Sequence, residues 1–214
     1  MRKYFFIFLC VLALLWARRS FLHTLIIQPD GAHGVDTYLL EAETTSNFGL
    51  NPNFMILGVP IPGVRRVGVM KFDLSALEGK SIVSATLSLW SANTMPEAGV
   101  FTVYRILSGN SAWNQVEATW DYAVSPVLNW AGAGGCALEG VDYAETELGS
   151  FSPSGEEPNT ELMFDLNPVV FTEMVAGNSG LVMFSSANTL AAFRSAEYIN
   201  NPAWRPKLVV VYSD

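Results

Sequence analysis

Along its length the chain alternates between short apolar-rich blocks and polar punctuation. The blocks are DTYLL (Asp36–Leu40), RRVGVMKFDLS (Arg65–Ser75), IVSATLSLW (Ile82–Trp90), GVFTVYRIL (Gly99–Leu107), WNQVEATW (Trp113–Trp120), LMFDL (Leu162–Leu166), GLVMFSS (Gly180–Ser186) and KLVVVY (Lys207–Tyr212). Each is rich in β-branched or aromatic residues, and each is bounded by Gly, Pro, Asn, Asp or Ser. Many short strands with frequent turns predict an all-β fold, a sandwich of two antiparallel sheets.

The alternation also assigns faces. In SATLSLW, period-2 patterning turns Leu87 and Leu89 to the core and Thr86, Ser88 and Trp90 outward. In VGVMKFDL, Met70 and Phe72 share the inner face, with Val69 and Lys71 opposite; Arg66 then lies on the Met70 side, where an arginine needs a partner. EGKS, just before Ile82, reads as a tight turn. One short helix is predicted after Asn167-Pro168, an N-cap followed by proline at the first helical position, with Gly177-Asn178 as its stop. Residues 129–158 are the least regular part of the chain, and a loop region of that length is usually functional or mobile.

The N-terminus reads as an export signal. Met1-Arg2-Lys3 is basic, and Tyr4–Trp16 is an apolar run of 13 residues, shorter than the roughly 20 a membrane-crossing helix needs. Residues 1–17 are therefore a signal peptide or a signal anchor, 18–34 an apolar-to-polar linker, and 35–214 the folded domain. The expected location is outside the cell or on its surface, with membrane association only through an uncleaved anchor. The net charge of −8 disfavours nucleic acid. Cys10 falls in the signal, which leaves Cys136 as a lone small hydrophobe in GAGGCAL.

The ordered blocks resemble the DNRLRE family, described as a carbohydrate-binding module related to disaggregatase proteins, with alginate-binding members. DTYLL with Thr45–Gly49 and Ile56–Gly58 is similar to that family's opening strand and turn. RRVGVMKFDLSAL resembles its central block, SATLSLW its next strand, and WNQVEATW with Asn129-Trp130 its spaced tryptophans. FDLNPVVFTEMVAG resembles its strand-to-helix block, and FRSAEY followed by WRPKLVVVY its closing signature. The match covers nearly all of residues 35–214. It implies a jelly-roll β-sandwich in an extracellular, glycan-associated setting. One departure is Lys71, where arginine is commoner; lysine lacks arginine's bidentate geometry toward a carboxylate.

Candidate chemistry follows from what the domain contains. The two histidines, His23 and His33, precede it, so histidine-based nucleophilic catalysis and histidine-rich zinc sites are not expected. Acids that an atypical polysaccharide lyase or hydrolase would draw on are Glu117, Asp121, Asp142, Glu145 and Glu147, but nothing in their pattern sets them apart from ordinary loop acids. Sugar faces stack on flat aromatic rings, which singles out Trp90 and then Tyr104; Trp113, Trp120 and Trp130 read as core. Anionic sugars are held by arginine and lysine, which adds Arg66, Lys71, Arg105 and Arg194; the competing reading is a structural ion pair, such as Arg66 with Glu197 or Asp73. No cofactor is required, although Asp36, Glu41, Glu43, Asp142 and Asp165 offer oxygen donors for a structural calcium ion. The expectation is a non-catalytic polysaccharide-binding module. The alternative is a self-assembling subunit of an extracellular filament, sheath or adhesin, with Phe21–Ile27 in subunit contacts.

Overall fold

A computed structural model describes residues 21–29, 34–58 and 63–214. The segment read as a signal, Cys10 and His33 lie outside the described residues. The strands are β1 Leu22–Ile27, β2 Gly34–Leu40, β3 Asn53–Ile56, β4 Arg66–Phe72, β5 Ser81–Trp90, β6 Phe101–Arg105, β7 Tyr122–Val124, β8 Leu128–Asn129, β9 Gly149–Phe151, β10 Glu161–Leu166, β11 Leu181–Ser185, β12 Ala191–Arg194 and β13 Lys207–Ser213; one α-helix, α1, spans Pro168–Ala176. Among the described residues the architecture is all-β with one short helix. Nine strands form one antiparallel sheet in the order β1-β13-β5-β10-β9-β6-β11-β4-β2, and β12-β3 and β7-β8 form two small ladders.

The sheet has to curl. β1 and β2 are consecutive in sequence but stand at its opposite edges. Laid flat, nine strands would be about 38 Å across, whereas the connection through residues 28–33 can span only about 24 Å. Pro29 lies against Gly34, where an added Cβ would sit 2.9 Å from its ring, so the two edges are near neighbours in space.

Curling gives the sheet two unlike faces. The inner one collects the expected residues: Met70 and Phe72 of β4, Leu87 and Leu89 of β5, and Leu162, Phe164 and Leu166 of β10 are all buried. The β3-β12 ladder closes this core with Phe54, Ile56 and Phe193, and Phe54 and Phe193 stack at 5.3 Å. Burying a side chain of this size contributes about 1.5–3 kcal/mol. A second core lies on the outer face of β2, β4 and β11, where Leu39, Val67, Val69 and Val182 meet Trp113, Trp120, Trp130 and Cys136 from the irregular part of the chain. The three tryptophans are core residues as expected, but they pack behind the large sheet. Burial pushes the Cys136 thiol well above its ordinary pKa, consistent with a buried hydrophobe.

Helix α1 starts and stops where the sequence indicates. The Asn167 side chain accepts hydrogen bonds from the Val169 and Val170 amides, and Gly177 ends the helix. Two expectations change. Phe21–Ile27, assigned above to the linker, contributes β1, whose residues pair one for one with Leu208–Ser213 of β13. This stretch alternates, and Leu25 and Ile27 turn inward to the core. WNQVEATW, expected as a strand, is a turn. The Asn114 side chain accepts from the Val116 and Glu117 amides, and the Asn114 carbonyl from Ala118, so local hydrogen bonds replace a ladder there.

Candidate functional site

The end of β12, the turn after it and the end of β5 bring four side chains together. Trp90 closes β5. Trp204 comes from a single helical turn, Pro202–Trp204, whose Asn201 side chain caps the Ala203 amide. Its ring stacks on Trp90 at 5.2 Å and 18°, and Tyr198 stacks on Trp204 at 6.0 Å and 10°. The Arg194 guanidinium lies 4.4 Å from the Tyr198 ring and 6.0 Å from that of Trp204. The result is a ladder of three near-parallel rings with a cation along its side.

Arg194 is held from two directions. Its Nη1 donates to Asn53 Oδ1 of β3 at 3.0 Å and its Nη2 to Asn159 Oδ1 at 2.8 Å. Nε is buried without a partner among the described residues. A guanidinium has five N–H groups, so one on each terminal nitrogen has no assigned acceptor. Beside the ladder an open depression of about 510 Å³ is lined by Asn53, Arg194, Glu197, Tyr198, Ile199 and Asn200, with Pro52 at its edge. A wider depression of about 680 Å³ lies near the start of α1, between residues 146–150 and 165–168, but no aromatic ring lines it.

The turn beneath the ladder is fixed by a polar network. The Ser195 hydroxyl donates to the Asn51 carbonyl at 2.7 Å, and the Ser195 amide donates to the Pro52 carbonyl. Gln115 Nε2 donates to Glu197 Oε1 at 2.7 Å and to the Gly49 carbonyl. Asn47 reaches back to the Gln115 and Ala118 carbonyls at 2.8 and 2.7 Å. The Asn47-Phe48-Gly49 turn thus braces Gln115, which braces Glu197. Gly49 is required here, because a Cβ would lie 2.0 Å from the Gln115 carbonyl oxygen. Asp36 of β2 accepts the Ala196 amide from below at 2.6 Å.

Of the six residues singled out in the sequence, Trp90 and Arg194 share this ladder. The other four are elsewhere. Lys71 faces the second core, where its Nζ donates to the Ser111 and Trp113 carbonyls at 3.0 and 3.2 Å and stands 4.8 Å over the Trp113 ring; burial lowers its pKa. Tyr104 joins Tyr143 and Phe184 in a second, half-buried aromatic group on the outer face, at 4.9 and 6.1 Å. Burial raises its hydroxyl pKa, helped by the negative charges of Glu147 and Glu139. Arg105 pairs with Glu173 of α1 at 2.9 Å. Arg66 is on the inner face opposite Leu40, its Nε buried without a partner among the described residues; Glu197, one of the two partners considered for it, is held by Gln115.

The expected oxygen donors are dispersed. Glu41 pairs with Arg65 at 2.7 Å, Asp165 accepts from Thr86, and Asp142 is buried under the Gly132, Ala133 and Leu138 amides and the Asn110 side chain. Among the described residues no three His, Cys, Asp or Glu side chains gather as metal ligands. Also among the described residues, no helix is long and apolar enough to cross a membrane.

Tyr198, Trp204, Asn53 and Asn159 escape a sequence reading. Trp204 and Trp90 are far apart in the chain, and only the β13-β5 ladder, which sets Lys207 opposite Ser88, carries them to one end of the sheet. The available signal was the run from Phe193 to Trp204, which packs Arg, Tyr, two Asn and Trp into one connection.

No family model matches the chain, and no curated protein matches it. Among solved structures, a cleaved adhesin domain of Lys-gingipain from Porphyromonas gingivalis is similar at 12% identity over 89% of this chain and 89% of that one, with a TM-score of 0.26. A likeness that slight carries no argument.

Proposed function

We propose that the chain is a secreted or surface-held, non-catalytic polysaccharide-binding module. The observation that carries this reading is the Trp90–Trp204–Tyr198 ladder, with Arg194 along it and an open depression at its side. Sugar rings bury their C–H faces against aromatic rings. The Asn53, Asn159 and Asn200 amides and the unassigned Arg194 N–H groups suit sugar hydroxyls or, for an acidic polymer, a uronate carboxylate. The depression is open to solvent, which suits binding along a polymer. The DNRLRE resemblance supports the same reading from the sequence side, and the jelly-roll form it implies is compatible with a nine-stranded sheet curled around the inner core.

The test is affinity electrophoresis of the chain through gels holding acidic or neutral polysaccharides, with and without EDTA. The reading predicts retardation by at least one polymer, reduced more than tenfold in apparent affinity by Trp90→Ala or Arg194→Ala. Passage through every gel without retardation would overturn it. Retardation abolished by EDTA would move the contact to a calcium site.

A second reading, a subunit of an extracellular assembly, is favoured by β1. This strand ends the sheet with no described strand on its outer side, carries no Lys, Arg, Asp or Glu, and leaves Leu22 and Ile26 exposed at 63% and 61%, with the preceding Phe21 at 72%. Natural edge strands usually carry lysine, proline or a bulge that prevents pairing with another chain. Concentration-dependent assembly, abolished by Ile26→Lys, would support it; a monomer at all concentrations would exclude it.

A further inference from the structure

Two carboxylates are buried in the described residues, and they are treated differently. Asp142 receives three backbone amides and the Asn110 side chain. Among the described residues Asp36, 1% exposed, receives a single donor, the Ala196 amide, and its Oδ1 is buried with no partner. An ionised carboxylate in that position lacks the donors that normally replace its water. Nothing in the ladder requires a carboxylate below it, since an asparagine or serine would also accept an amide.

The place of Asp36 is what gives it consequence. Ala196 is in the middle of the turn that joins Arg194 to Tyr198, and the Tyr198 amide closes that turn on the Ser195 carbonyl at 3.1 Å. Arg194 and Tyr198 are the cation and a ring of the ladder. The carboxylate of Asp36 therefore holds the stretch of backbone that spaces Arg194 from Tyr198, the cation of the ladder and its buried ring.

We infer that Asp36 is a positioning residue whose proton sets the geometry of the Arg194–Tyr198 turn, so that binding at the ladder is linked to protonation and favours the protonated protein. The inference rests on the ladder being the ligand site. The charged group that faces Asp36 is Glu197, from the turn itself, and it adds repulsion when Asp36 ionises. On β4 the opposed residue is Met70; Lys71 is turned to the other face, and Arg66 is two inner-face positions along, beside Tyr38. On β3, Asn53–Ile56 contains no titratable group, and on β12 the Arg194 guanidinium is engaged with Asn53 and Asn159. Among the described residues no cation is therefore assigned to the ionised form. Burial first, and Glu197 in addition, lift the Asp36 carboxyl to about 7, against a partial lowering by the Ala196 amide. Above that pH the charge is relieved by moving the turn or by admitting water, and either change disturbs Arg194 and Tyr198.

The test needs no ligand in its first arm. Near-ultraviolet circular dichroism of the full chain reports its packed aromatic rings, the Trp90–Trp204–Tyr198 ladder among them. The expected result is a change centred near pH 7 with the far-ultraviolet signal constant, absent in Asp36→Asn. A pH-invariant stack in the native chain, or the same transition in Asp36→Asn, overturns the inference. Should Asp36→Asn fail to fold, carbon-13 spectra of the aspartate-labelled native chain decide: one carboxyl titrating near 7 supports it, and all titrating below 5 overturns it. The second arm measures affinity for whichever polysaccharide retards the native chain, expected to fall toward about tenfold per pH unit above the midpoint. If no polysaccharide binds while the transition is present, the glycan reading fails and the proton-coupled turn stands.

Discussion

Arg194 and Lys71 show how little a residue's type reveals about its task. Both are cations near strand ends, and both lie over aromatic rings. Lys71 has its ammonium bound to two carbonyls in the second core, so its substitution should act on stability. Lys71→Met should lower the unfolding free energy by roughly 1–3 kcal/mol in urea titrations and leave glycan retardation per folded molecule unchanged. Arg194 is tied through two nitrogens but has N–H groups to offer; Arg194→Lys, which loses the planar fork, should weaken an acidic polymer more than a neutral one in the same gels. Asp36 makes a third residue-scale prediction. Its folded pKa of about 7 stands above the ordinary 3.8, so the folded state holds a proton that the unfolded chain releases in that window. Its contribution to stability is fully present below about pH 4 and is lost as pH rises through 7, on the order of 3–5 kcal/mol in total. Denaturant midpoints should fall between pH 5 and pH 9 in the native chain, and that fall should shrink in Asp36→Asn.

At the scale of elements, local chemistry was legible and long-range placement was not. The Asn167-Pro168 pair fixes the start of α1, and the structure shows the cap directly; Asn167→Ala should cost about 1 kcal/mol, measured by thermal unfolding. Period-2 alternation placed Leu87, Leu89, Met70 and Phe72 on the inner face because a strand's two faces are set by adjacent residues alone. The same logic turned Trp90 outward, and there it meets Trp204. It failed for WNQVEATW, where β-prone composition is overridden by the Asn114 side chain bonding its own downstream amides. It also left β1 in a linker, because the six residues Leu22–Ile27 gain their partner only from Lys207–Ser213 at the other end of the chain. Half of the candidate site was legible for the same reason: Trp90 and Arg194 carry suitable chemistry in sequence, but Tyr198 and Trp204 acquire a role only when β13 pairs with β5.

Taken whole, the molecule joins a net negative charge to a local cationic and aromatic spot at the ladder. A net charge of −8 repels polyanions at long range, while Arg194 attracts them at contact. Raising salt from 50 to 300 mM should therefore weaken an acidic polymer less than a polycation-driven interaction would. The curled sheet gives the ladder its rigidity, because Trp90, Arg194 and Asn53 stand at the ends of paired strands and only Tyr198, Trp204 and Asn159 come from turns. The most direct test of the account compares native chain, Trp204→Ala and Tyr104→Ala in a gel containing the polysaccharide that retards the native chain most. Trp204→Ala is expected to lose most of the retardation and Tyr104→Ala to keep it. Retardation kept by Trp204→Ala and lost by Tyr104→Ala would contradict the account, and would move the binding surface to the Tyr104–Tyr143–Phe184 group.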